Sequence, residues 1–250
     1  MSKRKVRADL LVVEQGLAST RSRAQALILS GAVCKRDGER IDKAGTQLEP
    51  SVELRLKGKP LPYVSRGGLK LAGALDRFEI NPKGRICLDV GASTGGFTDC
   101  LLQRGAIRVF AVDVGYNQLA WSLRNDERVI SMERTNIRTL EEGDLPELVT
   151  LIVADVSFIS LELILGPSLR VAEPGAEIVM LVKPQFEVGR GDVGKGGIVR
   201  DQGARRGALD KIIAVFREHG LENIEWMDSP IKGAKGNQEY LLRARVPLTA

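Results

Sequence analysis

Seven short apolar runs, RICLDV, RVFAVDV, RVISM, LIVADV, EIVMLVK, IEWM and EYLLRARV, occupy the C-terminal three-quarters of the chain. They are separated by stretches of helical length such as GGFTDCLLQRG and RRGALDKIIAVFREHG. Strands that alternate with crossover helices build a parallel sheet covered on both faces, so the pattern predicts an α/β domain. In such a sheet the ligand lies beyond the C-terminal ends of the strands, where the strand order reverses. At 250 residues the chain is long enough to bury that core and still carry a smaller module.

The smaller module precedes GKPLP, residues 58–62, a turn-rich break that gives expected domains of 1–60 and 61–250. RADLLVVEQGLA reads as a helix ended by Gly16. STRSRAQALILSG reads as a second, with Thr20 as N-cap, Gly31 just past its end, and Ala24, Leu27 and Ile28 on one face. AVCKRDGERI predicts a hairpin turning at Asp37-Gly38, and VELRL a further strand. Residues 1–60 carry 13 Lys+Arg against 7 Asp+Glu, whereas residues 61–250 carry 24 against 25. A basic excess confined to one small module is the footprint of nucleic-acid binding, or else a solvated face with no partner.

A single histidine, His219, excludes a two-histidine metal site, and in FREHG it reads as the C-terminal end of a surface helix. Cys34, Cys87 and Cys100 form no C-x-x-C pair, an odd set that suits reduced thiols. No metal is expected. The longest apolar stretch, LVTLIVADVSFISLELILG, is broken by Asp155 and Glu162, and the basic start is followed only by LLVV before Glu14. Neither a membrane span nor an export leader is expected, and a cytoplasmic location follows.

The first of the seven runs leads into LDVGASTGGFTD, where Asp89 is followed by Gly91, three residues, and Gly95-Gly96. Glycines there let the backbone turn tightly from strand to helix and approach a ligand. A second acid, Asp113, ends the next strand, where a carboxylate reaches ribose hydroxyls. These features alone leave dehydrogenase and methyltransferase open. The glycine spacing departs from G-x-G-x-x-G and favours the second, whose cofactor has no pyrophosphate to cradle. Residues 189–195 fit G-x-x-x-x-G-K, but Gly196 stands where a phosphate loop needs Ser or Thr, so that glycine-rich segment reads as a lid. Four ionisable residues mark strand ends: Lys70 on the helix before the first strand, Asp155 after LIVA, Lys183 after EIVMLV, and Glu239 before YLLRARV. Each alone could be a satisfied ion pair; two lysines and two acids on one edge point to chemistry.

The segments SRGGLKL, LDVGASTGGFTD, DVGYNQLAWSLRND, ERTN, VADVSFISL, LVKPQFEVG and GNQEY resemble the TlyA family of ribosomal RNA methyltransferases, and GLASTRSRAQALILSGAV resembles an S4 RNA-binding domain. The likeness spans nearly the whole chain. It implies a Rossmann-like seven-stranded methyltransferase sheet of the FtsJ-like type joined to a small N-terminal α+β S4-like domain. S-adenosylmethionine is then the methyl donor, and a cytidine ribose 2′-hydroxyl in ribosomal RNA, free or within a subunit, the acceptor. The family's catalytic tetrad falls on Lys70, Asp155, Lys183 and Glu239. Its cofactor site falls on Asp89, Gly91, Ala92, Ser93, Thr94, Gly95 and Gly96, with Asp113 and Asn136 toward the ribose and adenine. Candidate RNA contacts are Arg4, Lys5, Arg7, Arg21, Arg23, Lys35, Arg36 and Arg66. With six Phe, two Trp and three Tyr in the chain, recognition of folded RNA by shape is expected over an extended stacking platform. The target base has to leave its stack to place the ribose.

The resemblance is to the shorter family members, which implies a 23S target. Other expectations are a non-catalytic RNA-binding or assembly factor on the same fold, and the haemolysin activity historically attached to the family. For methyl transfer to a hydroxyl, Lys183 is the expected general base. That role needs a neutral amine, close to the limit of what burial and a neighbouring cation such as Lys70 supply. If Asp155 and Glu239 lie close as carboxylates, they oppose it and orient the lysines, leaving Lys183 as an ammonium that stabilises the developing alkoxide.

Overall fold

The computed structural model describes residues 5–29, 31–57, 61–233 and 236–248; Arg4 and residues 58–60 of the expected break lie outside the described residues. The chain forms two compact units, Met1–Pro62 and Tyr63–Ala250.

The first unit runs β1 (Val6–Arg7), α1 (Ala8–Glu14), α2 (Arg21–Leu29), β2 (Val33–Lys35), β3 (Gln47–Leu48) and β4 (Leu54–Leu56). Gly16 and Gly31, at φ of +70° and +73°, end the two helices in the left-handed region that favours glycine. Thr20 Oγ1 accepts from the Arg23 N–H at 3.2 Å, so it caps α2. Ala24, Leu27 and Ile28 are buried with Leu11, Val12, Val33 and Ile41 in one core. The expected hairpin in AVCKRDGERI turns back at Asp37-Gly38: Cys34 bridges Arg40, the Lys35 N–H donates to the Glu39 carbonyl at 2.8 Å and the Ile41 N–H to the Val33 carbonyl at 3.0 Å, and β2 also pairs with β4.

In the second unit α3 (Gly67–Arg77) leads into β5 (Ile86–Val90), α4 (Gly96–Gln103), β6 (Arg108–Asp113), α5 (Trp121–Arg124), β7 (Val129–Glu133) and β8 (Val149–Ala154). There follow α6 (Glu162–Leu169), β9 (Ala172–Val182), α7 (Pro184–Glu187), α8 (Gln202–Glu218), β10 (Glu222–Asp228) and β11 (Tyr240–Arg245). Each of the seven apolar runs is a strand of one sheet, ordered β10-β11-β9-β8-β5-β6-β7. One face packs on α6 and α8 through Leu165, Leu209 and Phe216, the other on α3 and α4 through Leu71, Leu75 and Leu101. The order reverses between β5 and β8, which places the ligand crevice at their C-terminal ends.

The sheet is mixed, not wholly parallel as expected. β11 runs antiparallel between β9 and β10. Its connection from β10 needs no crossover helix, and an antiparallel neighbour accepts a short return. The reversal matters for the site, because it brings the start of β11 to the C-terminal end of β9, with Tyr240 opposite Val182.

His219 caps the C-terminal end of α8, its Nδ1 2.9 Å from the Val215 carbonyl oxygen. The three cysteines are buried and form no disulfide. The glycine-rich segment expected as a lid is pinned: Asn237 donates to the Gly197 carbonyl at 2.8 Å and accepts from the Val199 N–H at 3.1 Å.

Candidate active site

The four ionisable residues form two ion pairs. Lys183 Nζ lies 2.6 Å from Asp155 Oδ1 and 2.9 Å from Ser157 Oγ; Lys70 Nζ lies 2.6 Å from Glu239 Oε2. Lys70, Lys183 and Glu239 are buried. Local chemistry explains the positions. Pro184 at the first turn of α7 stops β9, so Lys183 sits where strand becomes helix. Glu239 is the residue after which β11 begins, and the Tyr240–Val182 register makes it a neighbour of Lys183 across the sheet.

The glycines also permit close packing. Gly91 has φ +81°, and a Cβ there would lie 2.9 Å from the Asp155 carbonyl oxygen, so it lets the end of β5 close on the end of β8. A Cβ at Gly96 would meet Ser65 Oγ at 2.2 Å and the Gly68 nitrogen at 2.9 Å. That position brings α3, with Lys70 one turn in, onto α4. Gly95 faces the side chains of Leu119 and Leu123.

A cavity of about 390 Å³ opens beside the Lys183–Asp155 pair. Of the residues expected to hold the cofactor, Gly91, Ser93, Asp113 and Asn136 line it, Ala92 lines a smaller adjoining recess, and Thr94, Gly95 and Gly96 line neither. Asp113 accepts the N–H groups of Ser93 and Gly115, each at 2.7 Å, which fixes its carboxylate at the end of β6 with lone pairs still to offer. Asn136 accepts the Arg138 N–H at 3.1 Å, capping the short 3₁₀ turn Ile137–Thr139.

Asp89 is fully buried one residue before the lining. Its Oδ2 accepts the Thr98 hydroxyl at 2.6 Å, while Oδ1 is buried without a partner among the described residues. Burial pushes this carboxyl up to about 7, against the Thr98 hydrogen bond and helped by the charges of Asp155 and Asp113. A deep acid with an unmet acceptor beside a cavity of this size, with a ribose-ready carboxylate at its side, fits a cationic nucleoside cofactor.

Sequence reasoning missed three features. Ser157, two residues past Asp155, holds Lys183. Glu187, buried on α7, accepts the Ser160 hydroxyl at 2.6 Å and the Leu161 N–H at 2.9 Å, tying the Lys183 loop to the Asp155 loop; burial raises its carboxyl above the usual range. Phe158 has a φ of +66° and a ring 91% exposed at the cavity mouth, 5.1 Å from the Phe186 ring. A bulky residue is rare in that backbone region and strained there. The S-F-I triplet within VADVSFISL was the readable trace of the first and third.

The candidate RNA contacts are mostly engaged locally. Arg7 and Arg21 bind the buried Asp9, Lys35 pairs with Glu39, Arg36 with Glu53, and Arg23 donates to the Leu61 carbonyl. Lys5 is exposed, and Arg66 lies in the second unit as the N-cap residue of α3.

The model of the FtsJ-like methyltransferase family matches residues 63–246. The chain belongs to that family. The S4 domain model matches residues 6–54. The 16S/23S rRNA (cytidine-2′-O)-methyltransferase TlyA of Mycobacterium tuberculosis is 46% identical over 243 residues, covering 97% of this chain and 90% of the relative. The 23S rRNA (cytidine-2′-O)-methyltransferase TlyA of Campylobacter jejuni is 41% identical over 187 residues, 71% of this chain and 69% of the relative. A solved structure from Streptococcus thermophilus that bears a hemolysin description aligns with TM-score 0.77 at 45% identity, over 98% of this chain and 90% of that one. Among the described residues, no helix of this FtsJ-like methyltransferase is long and apolar enough to cross a membrane.

Proposed function

We propose that the protein methylates the ribose 2′-hydroxyl of a cytidine in ribosomal RNA, using S-adenosylmethionine, in the cytoplasm, with the 23S molecule as target. The observation that carries this reading is the Lys183–Asp155 contact at the edge of the nucleoside-sized cavity, where Asp155 lines the wall, with Glu239 of the Lys70–Glu239 pair next to Lys183 in the β9–β11 register. Membership of the FtsJ-like family and the activities for which the two TlyA relatives are named, both of which include 23S rRNA, support the substrate class.

Gly91, Ser93, Asp113 and Asn136 would hold the cofactor, with Asp89 beneath it. When bound, it supplies an electrophilic methyl group on a positively charged sulfur. Alignment of the acceptor oxygen with that methyl furnishes much of the acceleration. Lys183 is gripped by an Asp155 carboxylate oxygen at 2.6 Å and by Ser157, the close carboxylate contact under which an electrostatic role is the expected alternative to a general base. In our reading Lys183 therefore stabilises negative charge growing on the 2′-oxygen, and the hydroxyl proton passes to the Asp155 carboxylate. Glu239 fixes Lys70 as the second cation of the edge.

Beside the cofactor cavity lies a wider hollow of about 570 Å³ lined by Arg138, Phe158, Leu163 and Phe186. Two aromatic rings and a guanidinium suit an unstacked base, as delivery of a ribose to this edge requires.

Mapping 2′-O-methyl positions on 16S and 23S RNA from cells with and without the gene tests the assignment. A cytidine methylation should vanish from 23S RNA and return with the wild-type gene but not with Lys183→Ala. Unchanged maps would overturn it. For the role of Lys183, Lys183→Arg keeps the charge but cannot act as a base. Turnover within about tenfold of wild type supports the electrostatic role, and a loss as deep as that of Lys183→Ala returns the proton to Lys183.

A further inference from the structure

Asp9 stands in the first turn of α1 with no exposed surface, yet it belongs to the most basic part of the chain. Its carboxylate is crowded with donors. Oδ1 accepts from Arg7 Nε at 3.0 Å and from the Leu10 N–H at 3.1 Å. Oδ2 accepts from Arg7 Nη2 at 3.0 Å, from Arg21 Nε at 2.9 Å and from Gln25 Nε2 at 2.9 Å. Both arginines remain partly open to solvent, 40% for Arg7 and 53% for Arg21. Arg7 turns one edge of its fork inward, and Arg21 spends only Nε.

Two guanidinium planes, one from the end of β1 and one from the first turn of α2, are thus fastened to one buried anion, with N–H groups left over. A free arginine must give up its rotamers to grip a phosphate; one already fastened has given them up during folding. We propose that Asp9 is a positioning residue for RNA binding: it holds Arg7 and Arg21 as a preformed pair of phosphate donors and itself touches no RNA. This inference rests on the reading of the first unit as an RNA-binding module.

The proposal predicts a sign opposite to that of simple electrostatics. Removing a negative charge beside two cations strengthens attraction for a polyanion; if the charge serves as an anchor, removing it weakens binding. The test uses the full-length protein and 23S RNA transcribed in vitro, with affinities measured at several salt concentrations. Asp9→Asn, nearly isosteric, is expected to lose about tenfold in affinity, two side chains having to be ordered on binding. Arg21→Lys, which keeps its charge but loses the planar fork, is expected to weaken binding too. It should cost much less in the Asp9→Asn background, because the position it disturbs is already lost. A merely structural Asp9 gives equal Arg21→Lys costs in both backgrounds and overturns the proposal, as does Asp9→Asn binding as tightly as wild type or tighter. If Asp9→Asn fails to fold, Arg21→Lys decides, and wild-type affinity there overturns the proposal. The underlying reading fails separately: Arg7→Ala and Arg21→Ala both binding RNA like wild type would show that these arginines are not RNA contacts at all.

Discussion

Two buried aspartates, one in each unit, have been treated in opposite ways by their surroundings. Asp9 collects five hydrogen bonds from Arg7, Arg21, Gln25 and the Leu10 N–H, and these arginines hold its carboxyl well below the usual carboxylate range despite burial. Asp89 receives the hydroxyl of Thr98, keeps one oxygen unmatched, and is pushed up to about 7. An acid whose every lone pair is answered by its own chain organises other side chains. An acid left short at the end of a sheet is waiting for something the chain does not supply.

The pH dependence of stability gives the largest way to break this comparison. The folded-state pKa of Asp89 lies above that of an unfolded aspartate, so its contribution is fully present below about pH 4 and is lost as pH rises toward and through about 7. The loss amounts to about 4 kcal/mol at most. Asp9 has the reverse sign, its contribution present at neutral pH and lost only in strong acid. Both tryptophans, Trp121 and Trp226, lie in the second unit, so their fluorescence reports the melting of the Asp89 side. We expect the melting temperature of that unit to fall between pH 5 and pH 8 and Asp89→Asn to flatten the fall. If the wild-type unit is equally stable across that range, Asp89 is not the strained acid described here. Cofactor should narrow the difference between low and high pH, because a cation near Oδ1 favours the ionised form.

How much of this was legible beforehand differs between elements. The central strands β5, β6, β8, β9 and β11 could be read from their apolar runs because they are buried on both faces for most of their length, whereas the edge strands β7 and β10 are largely exposed and left only short runs. The direction of β11 could not, since an apolar run reads the same either way, and with that direction went the reason Glu239 stands near Lys183. The residues of the two ion pairs were visible as charges at strand ends, but not which lysine meets which acid: Lys70 and Glu239 are 169 positions apart. For Gly95 and Gly96 the packing role was not legible, because a glycine needed for close helix packing and one needed for close ligand approach leave the same letter. Among the basic residues of the first unit, sequence supplied the charge and nothing about Asp9, which is one acid among seven there until its burial is known.

A second, smaller test concerns unmet surface instead of an unmet oxygen. In the sheet unit, Phe158 holds a strained backbone and presents its ring to solvent beside Phe186. Phe158→Ala should raise KM for RNA about tenfold through loss of one stacked base, while leaving cofactor affinity within a factor of about two. Equal damage to cofactor binding would mean that the ring shapes the neighbouring cavity and has no acceptor of its own.

The smallest expected effect is the sharpest check on what burial does to an acid in a basic module. Glu53 pairs with Arg36 at 2.5 Å much as Asp9 pairs with Arg21, but both members are exposed, 79% for Arg36 and 65% for Glu53. An exposed pair fixes little, because water and salt compete for each charge and the side chains stay mobile. Glu53 therefore has no orienting role to lose, only a negative charge that competes with phosphate for Arg36. Glu53→Gln should tighten binding of 23S RNA about twofold at low salt, and the gain should fade as salt is raised. The same acid-to-amide exchange at Asp9 is expected to loosen it. Affinities that shift in the same direction at both positions would mean that burial makes no difference here, and the two arginines on Asp9 would be ordinary surface charge.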